Sequence, residues 1–147
     1  MFLPIEKHLP LVYNKSNQSI INGAATDLKK PTHIPARVEK PWGYELIFSH
    51  TDKYAGKILF VKKGCKLSLQ YHRKKDESLY VQSGAIRFQV GAAENQLTAL
   101  HLKAGDCIRV PPLTRHRLEA LEDTLLFEVS TPELDDVQRL ADDYGRA

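Results

Sequence analysis

Gln70, His72 and Glu77 are the residues best equipped for chemistry in this chain, and all three fall in the stretch Gly64 to Gly84, GCKLSLQYHRKKDESLYVQSG. Leu67, Leu69 and Tyr71 alternate with Ser68, Gln70 and His72. A period of two puts the apolar and aromatic set on one face of a strand, and Gln70 with His72 on the other. An imidazole and an amide oxygen then point the same way, and both are metal donors. After the charged loop Arg73-Lys74-Lys75-Asp76, the run Glu77 to Gln82 reads as a second strand closed by the turn pair Ser83-Gly84. Glu77 opens that strand beside the end of the first, so a carboxylate joins the pair in what reads as a site built into a sheet.

The elements that must hold these residues are short and all of one kind. From Arg37 onward, alternating or apolar runs separated by turn residues predict strands at Tyr44 to Phe48, Ala55 to Lys62, Leu67 to His72, Ser78 to Gln82 and Ala85 to Val90. Further strands are predicted at Leu97 to Leu102, Asp106 to Val110, His116 to Ala120 and Leu125 to Val129. Nine strands with no intervening helix imply an all-β sandwich or barrel. One helix is predicted at the end, Leu134 to Tyr144, where Leu134, Val137, Leu140 and Ala141 recur at helical spacing behind Pro132 and Glu133. Residues 1–36, with Pro4, Pro10, Pro31, Pro35 and a polar run at Asn14 to Gln18, read as an irregular N-terminal arm. A short strand around Ser19 to Asn22 is its one regular feature. Residues 37–147 form the single domain. Gly64 and Gly105 each open a glycine, strand, histidine unit, a hint of two equivalent halves.

Bulk properties narrow the partners. A chain of 147 residues, 42% hydrophobic and 27% charged, buries a core without staples. The net charge is +3, with no Lys/Arg stripe interleaved with aromatics, which argues against nucleic acid. Cys65 and Cys107 lack any Cys-x-x-Cys spacing and read as two reduced, half-buried thiols. Pro4, Glu6, Lys7, His8 and Pro10 interrupt the start before a signal-peptide core forms, and no run approaches the ~20 apolar residues of a membrane span. The expectation is a soluble cytoplasmic protein. Trp42 reads as a packing anchor, His101 as an ordinary sheet histidine, and His8, His33 and His50 as surface residues.

The spacing Gly64-x5-Gln70-x-His72-x4-Glu77-x6-Gly84 resembles the first cupin motif, with Gln70 in place of its first histidine. Gly105-x5-Pro111-x4-His116 resembles the second, with Leu113 where a glycine is usual and Ala120 where an asparagine is usual. Lys40-Pro41-Trp42-Gly43-Tyr44-Glu45, Leu67-Ser68-Leu69-Gln70, Thr114 to Glu119 and the ending Asp135 to Arg146 narrow the likeness. Together they resemble the mannose-6-phosphate isomerase cupin domain that ends bifunctional mannose-1-phosphate guanylyltransferases. The resemblance implies a cupin double-stranded β-helix with a short C-terminal helix, forming a homodimer.

It also implies metal ligands at Gln70, His72, Glu77 and His116, holding one divalent ion: zinc first, with manganese or iron as alternatives. A neutral glutamine leaves the ion more Lewis-acidic than a second carboxylate would. The implied activity is aldose-ketose isomerisation of mannose 6-phosphate or a related sugar phosphate. Lys75, Arg117 and Arg139 are the expected catalytic cations, and Arg73, Lys74, Arg115 and Arg146 the expected substrate-binding ones. Ser78 replaces the family's usual histidine in Glu-His-Trp, so no general base is nominated. Two competing readings remain: a metal-dependent dioxygenase or other small-molecule cupin enzyme, and a non-catalytic sugar or sugar-nucleotide binding cupin.

Overall fold

The computed structural model describes residues 35–146. The expected strand at Ser19 to Asn22 and nearly all of the expected arm lie outside them. Eleven strands are present: β1 (Ala36–Lys40), β2 (Gly43–His50), β3 (Ala55–Val61), β4 (Leu69–Tyr71), β5 (Glu77–Ser83), β6 (Ala85–Gly91), β7 (Thr98–Lys103), β8 (Cys107–Val110), β9 (Arg115–Ala120), β10 (Thr124–Ser130) and β11 (Gln138–Ala141). They form two antiparallel sheets, ordered β1-β2-β3-β10-β5-β8 and β11-β4-β9-β6-β7. This is the double-stranded β-helix of a cupin, and all nine expected strands are in it. No helix among the described residues is long and apolar enough to cross a membrane.

Inward-facing residues change character along the strands. On β5 they run Glu77, Leu79, Val81, on β3 Lys57, Leu59, Val61, and on β9 His116, Leu118, Ala120, all of them buried. Register aligns the series: Glu128 of β10 lies opposite Lys57, Leu126 opposite Leu59 and Thr124 opposite Val61. On the other sheet, Phe88 faces Leu118 and Ile86 faces Ala120. The ends marked by Val61, Val81, Ile86 and Leu126 therefore close into a dry apolar core. At the opposite ends the same strands present charge, and there the interior opens as a cavity of about 510 Å³.

The expected C-terminal helix is absent. Residues 132–137 make tight turns instead, with Leu134 N–H donating to Pro132 O at 2.8 Å and Val137 N–H to Asp135 O at 2.9 Å. The chain then pairs as β11 with β4, Gln138 opposite Tyr71 and Arg139 opposite Gln70. β4 is only three residues long, and without β11 it would leave an open sheet edge over the cavity. Completing that edge outweighs a helical spacing weakened by Asp135, Asp136, Asp142 and Asp143.

Two smaller expectations are also corrected. Cys65 is half-buried as expected, but Cys107 is exposed. The strand pair read from Gly64 to Gly84 is not a pair, because β4 and β5 belong to different sheets. Loop 72–76 thus carries the chain across the barrel, and the site lies between the sheets. Trp42 is buried to 2% exposure, as expected of an anchor. The turn beside it needs Gly43, whose φ is +148° and where a Cβ would stand 1.9 Å from Phe60 O.

Candidate metal centre

His72, Glu77 and His116 come together from three separate elements. His72 ends the β4 segment, Glu77 opens β5 across the barrel, and His116 lies on β9 directly opposite Gln70 of β4. All three are buried, with potential ligand atoms within 4.8 Å of one another. His116 Nε2 lies 3.2 Å from Glu77 Oε1 and His72 Nε2 lies 3.5 Å from Glu77 Oε2. Among the described residues neither Nε2 has a further hydrogen-bond partner.

The other ring nitrogens explain what these atoms are for. His116 Nδ1 meets Thr114 O at 2.9 Å, and His72 Nδ1 meets Asp136 O. A carbonyl oxygen only accepts, so both Nδ1 atoms donate, and in the neutral form of each ring the Nε2 lone pair is turned toward Glu77. With both rings in that form, two lone pairs converge on a carboxylate that already accepts from Lys75, a donor set that a cation completes. A divalent metal fits this donor set, and its binding would displace protons that otherwise collect there. Gln70 lines the same cavity and accepts a hydrogen bond from Ser68 Oγ at 2.6 Å, which fixes its amide oxygen and leaves a second lone pair for an ion.

Lys75 lies inside the site, 3% exposed. Its ammonium bonds Glu77 Oε2 and Glu128 Oε1, each at 2.5 Å. Burial alone would push its pKa down, but the two carboxylates win and raise it. Burial likewise pushes Glu77 up, and the opposing pull of His116, His72 and Lys75 leaves it well below the ordinary carboxylate value. Lys75 therefore positions Glu77 while the carboxylate keeps its charge.

The expected cations separate into two groups. Arg139 and Arg146 line the cavity, Arg146 while bonding Asp142 Oδ1 at 2.5 Å. Arg73, Lys74, Arg115 and Arg117 are not among its lining residues. Arg73 and Lys74 are exposed on loop 72–76. Arg115 covers the Tyr71 ring at 4.7 Å and donates to Leu113 O at 2.9 Å. Arg117 follows His116 on β9, so alternation turns it to the outer face, where it bonds Leu67 O at 2.9 Å and pairs with Asp143. The same parity turns Ser78 outward from β5, so the missing histidine at that position takes nothing from the cavity.

Sequence reasoning missed Asp136, which clamps the centre from the turn before β11. Its carbonyl orients His72, and its carboxylate accepts from the N–H groups of Arg73 at 3.1 Å, Lys74 at 2.6 Å and Lys75 at 3.0 Å. Burial raises the Asp136 pKa, but the three backbone donors outweigh it and hold the pKa at about 2. The folded value is depressed, so this stabilisation is complete above about pH 4 and is lost as pH falls through about 2. Asp136→Asn is expected to weaken metal binding by roughly tenfold to a hundredfold, measured by competition with a chromogenic chelator. Unchanged affinity would mean the clamp does not orient His72. Leu113 was also uncertain from sequence, and it keeps the glycine-like turn with φ +66°, its side chain exposed and its N–H donating to His72 O at 2.7 Å.

Comparison with known proteins agrees with this geometry. The family described as Mannose-6-phosphate isomerase C-terminal matches residues 26–142. Over 134 residues the chain is 28% identical to the mannose-1-phosphate guanylyltransferase ManC of Salmonella typhimurium, covering 88% of this chain and 27% of that protein. The chain thus spans about a quarter of the length of the curated relatives it matches. Among solved structures, KdgF from Halomonas sp. has a TM-score of 0.59 at 27% identity, covering 71% of this chain and 92% of KdgF. The capsular polysaccharide assembling protein CapF from Staphylococcus aureus has a TM-score of 0.63 at 17% identity, covering 76% of this chain and 35% of CapF, a likeness of fold. Because the family match takes in both sheets and every residue of the centre, the chain belongs to the Mannose-6-phosphate isomerase C-terminal family of cupins.

Proposed function

We propose that this chain is a metal-dependent isomerase that interconverts mannose 6-phosphate, or a related aldose phosphate, with the corresponding ketose. The observation that carries the reading is the convergence of His72 Nε2, His116 Nε2 and Glu77 on the wall of a partly open, sugar-sized cavity. Gln70, His72, Glu77 and His116 would hold the ion, zinc or alternatively manganese or iron. A bound ion supplies Lewis acidity toward a hydroxyl-carbonyl pair.

The chain's own groups do the rest. Lys75 keeps Glu77 ionised and aimed, and Gln70 contributes an oxygen without charge. A proton must move between adjacent carbons, and the lining groups outside the ligand set that can carry it are His50, Glu45, Glu128, Asp135 and the lysines Lys40, Lys57 and Lys75. His50 stands at the mouth, its Nε2–H donating to Pro132 O at 2.9 Å, which leaves Nδ1 as an acceptor.

Proton NMR of the metal-loaded chain with mannose 6-phosphate is expected to show conversion to fructose 6-phosphate that stops with chelator and resumes with a divalent ion. Stoichiometric metal without conversion would defeat the isomerase reading. Oxygen uptake by the iron-loaded chain would then favour the oxidative reading, and sugar-phosphate binding without turnover the binding-module reading.

A further inference from the structure

The cavity walls made by β1, β2 and β3 carry a second charged group that the metal centre does not use. Lys57 of β3 is 8% exposed and points inward in series with Leu59 and Val61. Its counter-ion, Glu45 Oε2 of β2, stands 3.7 Å away, and the same oxygen is 3.6 Å from Lys40 Nζ of β1. Both separations exceed hydrogen-bond length, so one carboxylate is shared loosely by two ammonium groups whose donors meet no hydrogen-bond acceptor among the described residues. An ammonium this deeply placed is costly unless paired and hydrogen-bonded, and the carboxylate opposite Lys57 in register, Glu128, is already bonded to Lys75. Trp42, between them in the chain and lining the same cavity, is 2% exposed, and its indole N–H has no hydrogen-bond partner among the described residues. A buried donor left in that state lacks an acceptor that a ligand would provide.

Register fixes where this wall lies relative to the metal centre. Lys57 pairs with Glu128 of β10, and Glu128 pairs with Leu79 of β5, one inward position from Glu77. Two strand spacings, about 10 Å, therefore separate Lys57 from the strand that carries the carboxylate ligand, and Lys40 of β1 lies two strands further along the sheet. A ligand long enough to reach both would place one end at the ion and an anionic end at the lysines.

We infer that Lys40 and Lys57, with the Trp42 N–H, form an oxyanion subsite that takes the phosphate ester of the sugar, in place of Arg73 and Lys74. The inference rests on the proposed function for the position of the sugar's reacting end, but binding at the lysines is measured independently of turnover. The test is calorimetry on the full metal-loaded chain with mannose 6-phosphate, mannose, glucuronate and inorganic phosphate. Mannose 6-phosphate is expected to bind at least roughly tenfold more tightly than mannose, and inorganic phosphate to compete with it. Lys57→Met and Lys40→Met are each expected to lose roughly tenfold to a hundredfold in mannose 6-phosphate affinity, with metal content and mannose affinity unchanged. Arg73→Met/Lys74→Met is expected to retain wild-type affinity. Lys40 is only partly buried, so its variant decides the matter if Lys57→Met fails to fold.

Wild-type affinity in both lysine variants, or its loss in the Arg73/Lys74 variant, overturns the subsite. Tighter binding of glucuronate than of mannose 6-phosphate overturns the assignment of phosphate. Lysine-dependent phosphate binding without isomerisation upholds the subsite and removes the isomerase reading alone.

Discussion

His116→Ala is expected to abolish stoichiometric metal binding. The variant removes one of two imidazoles whose Nε2 lone pairs face Glu77, leaving His72 and Glu77 with only the neutral Gln70 oxygen. The loss should exceed the roughly tenfold to hundredfold effect of disturbing a group that merely orients a ligand, such as Asp136. Elemental analysis after dialysis measures it. His101→Ala serves as the control, because His101 is an exposed histidine of β7 opposite Arg87 and should keep full metal. Equal metal in the two variants would remove His116 from the ligand set.

Lys75→Met is expected to be the most destabilising single change in the domain. It leaves Glu77 and Glu128, 4% and 6% exposed, as neighbouring buried carboxylates with no ammonium between them. Breaking a buried ion pair by removing one partner costs about 3–5 kcal/mol, measured here by urea unfolding of the metal-free chain. The cost should shrink on adding Glu128→Leu, since removing both members of a buried pair is far milder than removing one. It should shrink also with bound metal, which neutralises Glu77 in place of the lysine. Acid stability should change with a defined sign. Glu77 is held well below its ordinary pKa, so its stabilisation is present above the carboxylate range and lost as pH falls through the depressed folded value. Without Lys75 that acid limb should move to higher pH. A loss below about 1 kcal/mol, the value of an exposed pair, would show that the triad is not the buried network described.

Much of this site was readable before any coordinates, for identifiable reasons. Gln70, His72, Glu77 and His116 stood out because a strand's period of two and the motif spacing are local properties of the chain. The strands themselves announced their parity: nine alternating runs became nine strands. β1 was missed because Arg37, Glu39 and Lys40 surround a single large apolar residue, Val38, itself exposed, and leave almost no alternation to detect. β11 was misread because Leu134, Val137, Leu140 and Ala141 fit a helix, while the feature that makes the segment extended is the open edge of β4, over sixty residues earlier.

The same locality explains which functional groups escaped notice. Lys57 shares parity with Leu59 and Val61, and Glu128 shares parity with Leu126. A charged residue on the buried parity of an otherwise apolar strand was the available signal in both cases. What parity could not supply is that Glu128 meets Lys75 across 53 positions of sequence. Conversely, Arg117 belonged to a recognised motif but sits one residue from an inward histidine, and that single step sends it to the other face.

The most direct test of the centre is metal analysis joined to X-ray absorption at the metal edge on the intact purified chain. The expected result is one divalent ion per chain in a shell of two imidazole nitrogens and light oxygen donors, with no sulfur. A chain that retains no ion after metal loading and dialysis, or an ion bound without imidazole, would contradict the assignment of His72, Glu77, His116 and Gln70.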